Sequence, residues 1–376
     1  MSVFDGFVGN AKLPEDSQNL TFYFLEDIGF LFRKYLTVLP KICSGGYKAK
    51  ELVSKIYKDL SVHNDKKNHV VVLNFDGMKD DSFHPMFLNS KEDLYVENID
   101  DILVNDDNFP SFNVWYSNKR NVKFRKKIYE YITDNLRDYW TLNQKCLLYM
   151  TNCYSNDEHG TIRMRNNRAE FKKDTNYGST IQVCFKFIEE HSNENSVFII
   201  RSNECSYFAY GILHQLKLKS NIFVQQKNKL VSIRDLKQTI EKINFSSTDI
   251  FSKVDWSIVY LIVHCLLKNN KLVTHVGAAT KKSKAFRFDE ELFFQNIHDE
   301  IKTTEVSIYS FSNNEIMLDT KLILSLINKF KRKNLTKKQQ HAVSATLNKC
   351  QWCINYMLNP CNDKYSCSFL QYGYKK

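Results

Sequence analysis

The sequence has 376 residues, enough to bury a large hydrophobic core, and 14% of them are aromatic. This composition excludes an intrinsically disordered chain, and with only 5 prolines and 11 glycines we expect one compact body or two closely packed lobes. The formal net charge of +11 favours an anionic partner such as nucleic acid, although a lysine- and asparagine-rich composition also arises from an AT-rich genome.

Neither a secretion signal nor a membrane span is expected from the pattern. The N-terminus lacks the basic region and apolar run of a signal peptide. The most apolar window, residues 256–267, is too short to cross a bilayer and contains His264, so it predicts a buried helix. The 10 cysteines are therefore expected to be made as thiols in a reducing compartment.

The first hundred residues predict helices around a single strand. Apolar residues at helical spacing predict an early amphipathic helix before Pro40, through Phe22, Leu25, Ile28, Phe32 and Tyr35. A second helical period covers residues 52–60. Residues 70–75 predict a buried strand that ends in Asp76-Gly77. Residues 92–107, with seven acidic residues and no Lys or Arg, predict a surface excursion.

The middle of the chain combines a basic segment with a strand, loop and helix. Residues 124–139 have helical periodicity, and residues 161–173 are rich in Arg and Lys. Gly178-Ser179-Thr180 is expected to open a helix. Residues 197–200 are apolar and predict a strand buried on both faces, followed by a polar loop and a helix to Leu216. Loops at this position of a parallel sheet commonly carry ligand sites.

The remaining residues predict a short hairpin around 225–229 and then a largely helical chain. The expected helices cover residues 236–243, 256–267, 292–301, 318–330 and 336–358. We therefore predict a predominantly α-helical chain around a small, mainly parallel α/β core. The expected domains are an α/β core over 1–245, with basic and acidic insertions, and a helical lobe over 246–376 that ends in a Cys- and aromatic-rich tail.

Several segments resemble the PIN-like family of flap endonucleases and 5′-to-3′ exoribonucleases. The strand at 197–200 is followed by Tyr210-Gly211, as in that family, but Asn203 and Cys205 stand where the family has two metal-binding Asp residues. The resemblance extends to Asp76-Gly77 and to the basic segment 161–173, which in the exoribonucleases helps to hold the substrate backbone. It implies a degenerate 5′-nuclease fold in which Asp76 and Glu204 are the remaining candidate metal ligands.

These two acids alone are not expected to form an active nuclease site. Two-metal phosphodiester cleavage requires several converging carboxylates, and one Asp with one Glu does not supply them. Asp76-Gly77 is also a common turn signal, and the basic segment is equally compatible with a solvated helix face. We therefore expect no enzyme, no cofactor and no metal, with a metal-dependent nuclease or a nucleic-acid-binding protein as the alternative.

Four cysteines near the C-terminus form a second candidate cluster: Cys350, Cys353, Cys361 and Cys367. The first two have the spacing of half a zinc site, but no second Cys-x-x-Cys follows. Cross-linking between copies, or burial in a core, is preferred.

The overall character of the chain is similar to the polyhedrins, the occlusion body proteins of nudiviruses. This resemblance implies a viral structural protein that assembles with itself into a crystalline lattice, embeds virions and resides in the nucleus or cytoplasm of the host cell. Membrane binding is not implied. The acidic patch expected to meet a basic cluster of another copy consists of Asp100, Asp101, Asp106 and Asp107.

Overall fold

A computed structural model describes most of residues 10–76, 104–173 and 180–243, residues 308–330 except 314, and isolated positions between 337 and 358. The chain divides into two compact units. The larger unit covers residues 9–211 and 217–233, and the other includes residues 212–216 and 234–376.

The larger unit is built on an eight-stranded mixed sheet in the order β5-β4-β3-β2-β1-β6-β7-β8. The five central strands are parallel, and the β3–β4, β4–β5 and β7–β8 pairs are antiparallel. The strand bounds are β1 (Thr21–Asp27), β2 (His69–Asn74), β3 (Leu147–Ser155), β4 (Glu158–Arg165), β5 (Arg168–Lys173), β6 (Ser196–Arg201), β7 (Asn221–Gln226) and β8 (Lys229–Ser232).

Helices cover both faces of this sheet, which is why its central strands are apolar on both sides. One face carries α1 (Ile28–Leu36), α2 (Ala49–Ser61), α3 (Phe112–Asn118) and α4 (Val122–Asn143), which share a core with β2, β3 and β4. The other face carries α5 (Thr180–His191), which contacts β1 and β2, and α6 (Ser206–His214). Phe185 of α5 stacks on Tyr210 of α6 with ring centroids 5.5 Å apart.

The described part of the second unit contains a small hairpin and helices. α7 (Ile233–Ile243) leads into it, and β9 (Tyr309–Ser312) pairs with β10 (Glu315–Leu318) before α8 (Thr320–Phe330). The described positions between 337 and 358 are helical. Among them, Asn355 bonds to the hairpin through its side-chain amide. Its Oδ1 accepts from Ile316 N at 2.7 Å, and its Nδ2 donates to Ile316 O at 2.9 Å.

The prediction of a predominantly helical chain with a small core is wrong. The sheet has eight strands and includes three antiparallel pairs, so the larger unit is an α/β fold built on a large mixed sheet. Two segments account for most of the error. The early helix expected from residue 22 onward is β1 followed by α1, and the basic segment 161–173 lies on strands β4 and β5.

Several individual elements are confirmed. The strands expected at 70–75 and 197–200 are β2 and β6, and the hairpin expected around 225–229 is β7–β8. The helices expected over 124–139 and 318–330 are α4 and α8. The domain boundary at 245/246 and the helices at 256–267 and 292–301 lie outside the described residues and stay predictions. Within the described ranges, no helix has both the length and the apolarity that crossing a membrane requires.

Candidate functional site

The carboxyl ends of β1, β2 and β6 form the place where a ligand site is expected. From β1 the chain adds β2 to β5 on one side, and β6 to β8 follow on the other side. The strand order therefore reverses next to β1. In open α/β sheets, ligands bind outside the carboxyl ends of the strands at such a reversal.

Asp27, the last residue of β1, occupies this position with both carboxylate oxygens already bonded. Its Oδ1 accepts from Gly29 N at 2.7 Å and Phe30 N at 3.1 Å, so the carboxylate caps α1. Its Oδ2 accepts from the hydroxyls of Thr180 at 2.9 Å and Tyr207 at 2.8 Å. The carboxylate is 6% exposed, and these four bonds compensate for its burial.

Asp76 follows β2 and shares Thr180 with Asp27. Its Oδ1 accepts from Thr180 N at 3.0 Å, and its Oδ2 lies 3.4 Å from the hydroxyl of Tyr129. Tyr129 is fully buried on α4, and its burial together with the charge of Asp76 raises its pKa well above the ordinary value. Thr180 thus bridges both acids at the first turn of α5.

The described residues at this position do not fit the two-metal centre that the nuclease resemblance implies. A metal ion competes for the carboxylate oxygens, and every oxygen of Asp27 and Asp76 accepts from a protein donor. The neighbouring Asn74 Oδ1 accepts from Thr151 at 2.8 Å. No group of three or more His, Cys, Asp or Glu side chains suited to a metal ion occurs among the described residues. We read this network as a structural connection between strand ends and helix starts.

A second charged cluster lies on the opposite face of β1. Glu26 is 2% exposed, and its Oε1 lies 3.1 Å from Nε of Arg201 on β6. The Nη2 of Arg201 lies 2.6 Å from Oδ2 of Asp59 on α2. Burial raises the pKa of Glu26 to about 8 despite the adjacent guanidinium. Nearby, the ring of His63 stacks on Phe24 with centroids 3.6 Å apart, and burial with the charges of Arg201 and His69 lowers its pKa to about 4.

The β4–β5 hairpin carries a concentration of exposed positive charge. Its register pairs Arg163 with Glu170, Arg165 with Arg168 and Thr161 with Lys172, which puts these side chains on one face. We call the cations of this face the basic face: Arg163, Arg165, Arg168 and Lys172. A pocket of about 370 Å³ lies among Arg163, Arg165, Asn166, Arg168 and Glu170.

The anion on this face neutralises only part of the charge. Glu170 Oε2 lies 3.5 Å from Arg163 Nη1, and both side chains are largely exposed, with relative exposures of 70% and 44%. Such an exposed pair is weak, so it leaves both groups able to meet another partner.

Most residues predicted as sites lie outside the described residues. Asp76, a candidate metal ligand in the sequence analysis, lies at the strand reversal. The others are not described, and their predicted roles stay predictions: Glu204, Asp100, Asp101, Asp106, Asp107, Cys350, Cys353, Cys361 and Cys367. Asn203 and Cys205, which replace two metal-binding Asp residues of the nuclease family, also lie outside the described residues. The cysteines described as free thiols are Cys146, Cys153 and Cys184, all buried.

Asp27 and Thr180 have the central positions that the sequence analysis missed. Residues 22–24 are three consecutive aromatic residues, followed by Leu25 and two acids, and aromatic residues are enriched in strands. An Asp directly before an apolar helical run is also a helix N-cap signal, and it could have located Asp27.

Comparison with known protein families and with curated proteins gives no match to this chain.

Proposed function

We propose that this protein binds nucleic acid through the β4–β5 hairpin and does not cleave it. The single observation that carries the proposal is the basic face, where four cations and one anion share the exposed side of one hairpin. Phosphate groups along a nucleic-acid backbone attract such a surface and release counterions when they bind. The net charge of +11 acts in the same direction at longer range.

The absence of cleavage is proposed from the network at the strand reversal. Cleavage by metal ions requires carboxylate oxygens that face the substrate and are open to the ions. Asp27 and Asp76 instead accept hydrogen bonds from Thr180, Tyr207 and Tyr129. These acids hold α1, α5 and α6 in place, which is a structural task.

Binding to fluorescent 20-nucleotide DNA and RNA strands at several salt concentrations tests the proposal. Replacing Arg163, Arg165 and Arg168 with Gln removes three cations without shortening the hairpin. We expect affinity at 150 mM salt to fall about tenfold or more, and the slope of log K against log salt to decrease by about 2, or roughly 0.7 per lost phosphate contact.

The matched control removes the same charge elsewhere: Lys12→Gln, Lys58→Gln and Lys229→Gln. All three lysines are exposed, and Lys229 lies on β8 at the opposite edge of the sheet. The control should retain most of the affinity. Equal losses in the two triple variants would show that only the net charge matters and would overturn the hairpin as the binding surface.

Incubation with magnesium or manganese tests the second half of the proposal. The strands should stay intact over hours, and Asp27→Asn or Asp76→Asn should not alter the result. Cleavage by the wild type that disappears in either variant would establish a nuclease and refute the structural role of the network.

Self-assembly into a protective viral lattice, the function expected from the polyhedrin resemblance, stays a separate proposal. The acidic patch and the four C-terminal cysteines, which were the candidate contacts between copies, lie outside the described residues. One described feature, the exposed edge of β5, favours association between copies.

A further inference from the structure

Among the described residues, no strand or segment pairs with the outer edge of β5. All six residues of β5 are exposed, and β5 is the last strand on its side of the sheet. At the other side, Ala11 N donates to the carbonyl of Leu230 in β8 at 2.8 Å, so the N-terminal segment covers part of that edge. An uncovered strand presents backbone N–H and C=O groups with which another strand pairs.

The β4–β5 register determines which residues present those groups. Arg165 pairs with Arg168 across a two-residue connection, so this pair closes the hairpin, and Asn166 has a positive φ of 48°. The closing pair of such a hairpin exchanges two hydrogen bonds, and hydrogen-bonded and non-bonded pairs alternate beyond it. The even-numbered residues of β5 therefore bond to β4. The outward-facing backbone groups belong to Ala169, Phe171 and Lys173.

We infer that β5 pairs with β5 of a second copy, antiparallel, about a two-fold axis through Phe171. In this register the two Phe171 residues face each other, and Ala169 faces the partner's Lys173. The outward-facing residues of both strands then form three hydrogen-bonded pairs, or about six backbone bonds. Two-fold symmetry is closed, so both β5 edges are used within the pair and the assembly is a dimer with a continuous sheet.

The charges that face each other across the two strands favour this register over the neighbouring ones. With the axis at Phe171, Glu170 faces the partner's Lys172, and symmetry creates the same pair again. An axis at Glu170 would oppose Glu170 to itself and Arg168 to the partner's Lys172. An axis at Lys172 would oppose Lys172 to itself. An axis at Ala169 would keep only three residues of each β5 in the pairing.

Charged residues on an edge strand usually prevent pairing with another strand. In β5 the charges of Arg168, Glu170 and Lys172 alternate in sign, so an antiparallel partner copy can place opposite charges across from each other. The hairpin as a whole carries five cations and two anions, a net charge of +3, from Arg163, Arg165, Arg168, Lys172 and Lys173 against Glu158 and Glu170. Two copies therefore repel one another at low salt. Salt screens this repulsion, so dimerisation should strengthen with salt whereas binding to nucleic acid weakens.

A charge exchange measured by sedimentation velocity tests the pairing, without nucleic acid present. Glu170→Lys and Lys172→Glu each convert both attractive pairs into like-charge pairs, and each should weaken the dimer about tenfold. The double variant restores attraction with the signs reversed and should return to within about threefold of the wild type. An equal mixture of the two single variants should form heterodimers, because every cross-strand pair is then attractive.

A backbone variant gives an independent readout. Phe171→Pro removes an outward-facing N–H without removing a β4–β5 hydrogen bond, so the dimer should be lost while the circular dichroism spectrum is retained. The inference would be overturned by a wild type that stays monomeric at high salt and high concentration. It would equally be overturned if the single and double charge variants dimerised alike. Neither result depends on the proposed binding of nucleic acid.

Discussion

The hydroxyl of Thr180 lies 2.9 Å from Asp27 Oδ2, and its backbone N–H lies 3.0 Å from Asp76 Oδ1. One residue at the start of α5 thereby connects the ends of two neighbouring parallel strands. Because all three residues are buried, each of these bonds is made where water is excluded. Ligands commonly bind at this position of a parallel sheet, but here it contains hydrogen bonds between residues of the chain itself.

Replacing Thr180 with Val should destabilise the larger unit by about 1–3 kcal/mol, because the isosteric side chain removes a buried donor to Asp27. Thr180→Ser keeps the hydroxyl and should cost less. Urea denaturation followed by fluorescence measures both. A Val variant that is no less stable than the Ser variant would contradict this contribution of the hydroxyl.

Magnesium should leave the melting temperature of the wild type unchanged at low millimolar concentration, because the oxygens of Asp27 and Asp76 are already bonded. Asp27→Ala should lower stability by about 2–4 kcal/mol, since it removes the cap of α1 and leaves two hydroxyls without their acceptor. Thermal scans with and without magnesium measure both effects. A metal-induced rise in melting temperature that is lost in Asp27→Ala would contradict the structural interpretation.

Acidification should reveal the buried state of His63. Its pKa is about 4 in the folded protein and about 6.5 when unfolded, so the unfolded chain binds more protons. Its stabilising contribution is present above pH 6.5 and is lost as the pH falls from about 6.5 to 4, on the order of 1–3 kcal/mol. Glu26, whose raised pKa makes stability fall from about pH 4.5 to 8, acts in the opposite direction.

The difference between the wild type and His63→Phe isolates the histidine, because Glu26 is common to both proteins. Phe keeps an aromatic ring against Phe24 but does not titrate. The stability difference, from urea denaturation at several pH values, should change between pH 6.5 and 4 and stay constant above pH 7. A constant difference throughout would contradict the lowered pKa of His63.

Gly160 should be required for the hairpin. A Cβ at this position would overlap the backbone carbonyl of Lys172 and approach Phe171 Cζ to 2.8 Å. Gly160→Ala should therefore force β5 away from β4, lower stability by about 2–4 kcal/mol and weaken nucleic-acid binding. Thr161→Ala, at the next position of β4, is the control and should change stability by less than about 1 kcal/mol. Equal stability of the two variants would show that the hairpin adjusts without cost.

The elements with a strong local pattern could be predicted from the residues alone. β2 and β6 are short, continuous apolar runs, and α4 has a long helical period, so each was recognisable without knowledge of its neighbours. The carboxylate of Asp76 was recognisable for a similar reason, because Asp76-Gly77 ends the apolar run of residues 70–75.

β1 and the β4–β5 hairpin form because of strand pairing between residues that are distant in the sequence. Residues 22–35 fit a helical period, but residues 21–27 form a strand because β2 and β6 satisfy their backbone groups from both sides. The basic segment buries Ile162 and Met164 at alternating positions, and its strand form also depends on pairing with β3 and on the close approach at Gly160. Pairing partners distant in sequence leave no local signal, which is why the neighbours of β1 in the sheet and the basic face could not be placed from the sequence alone.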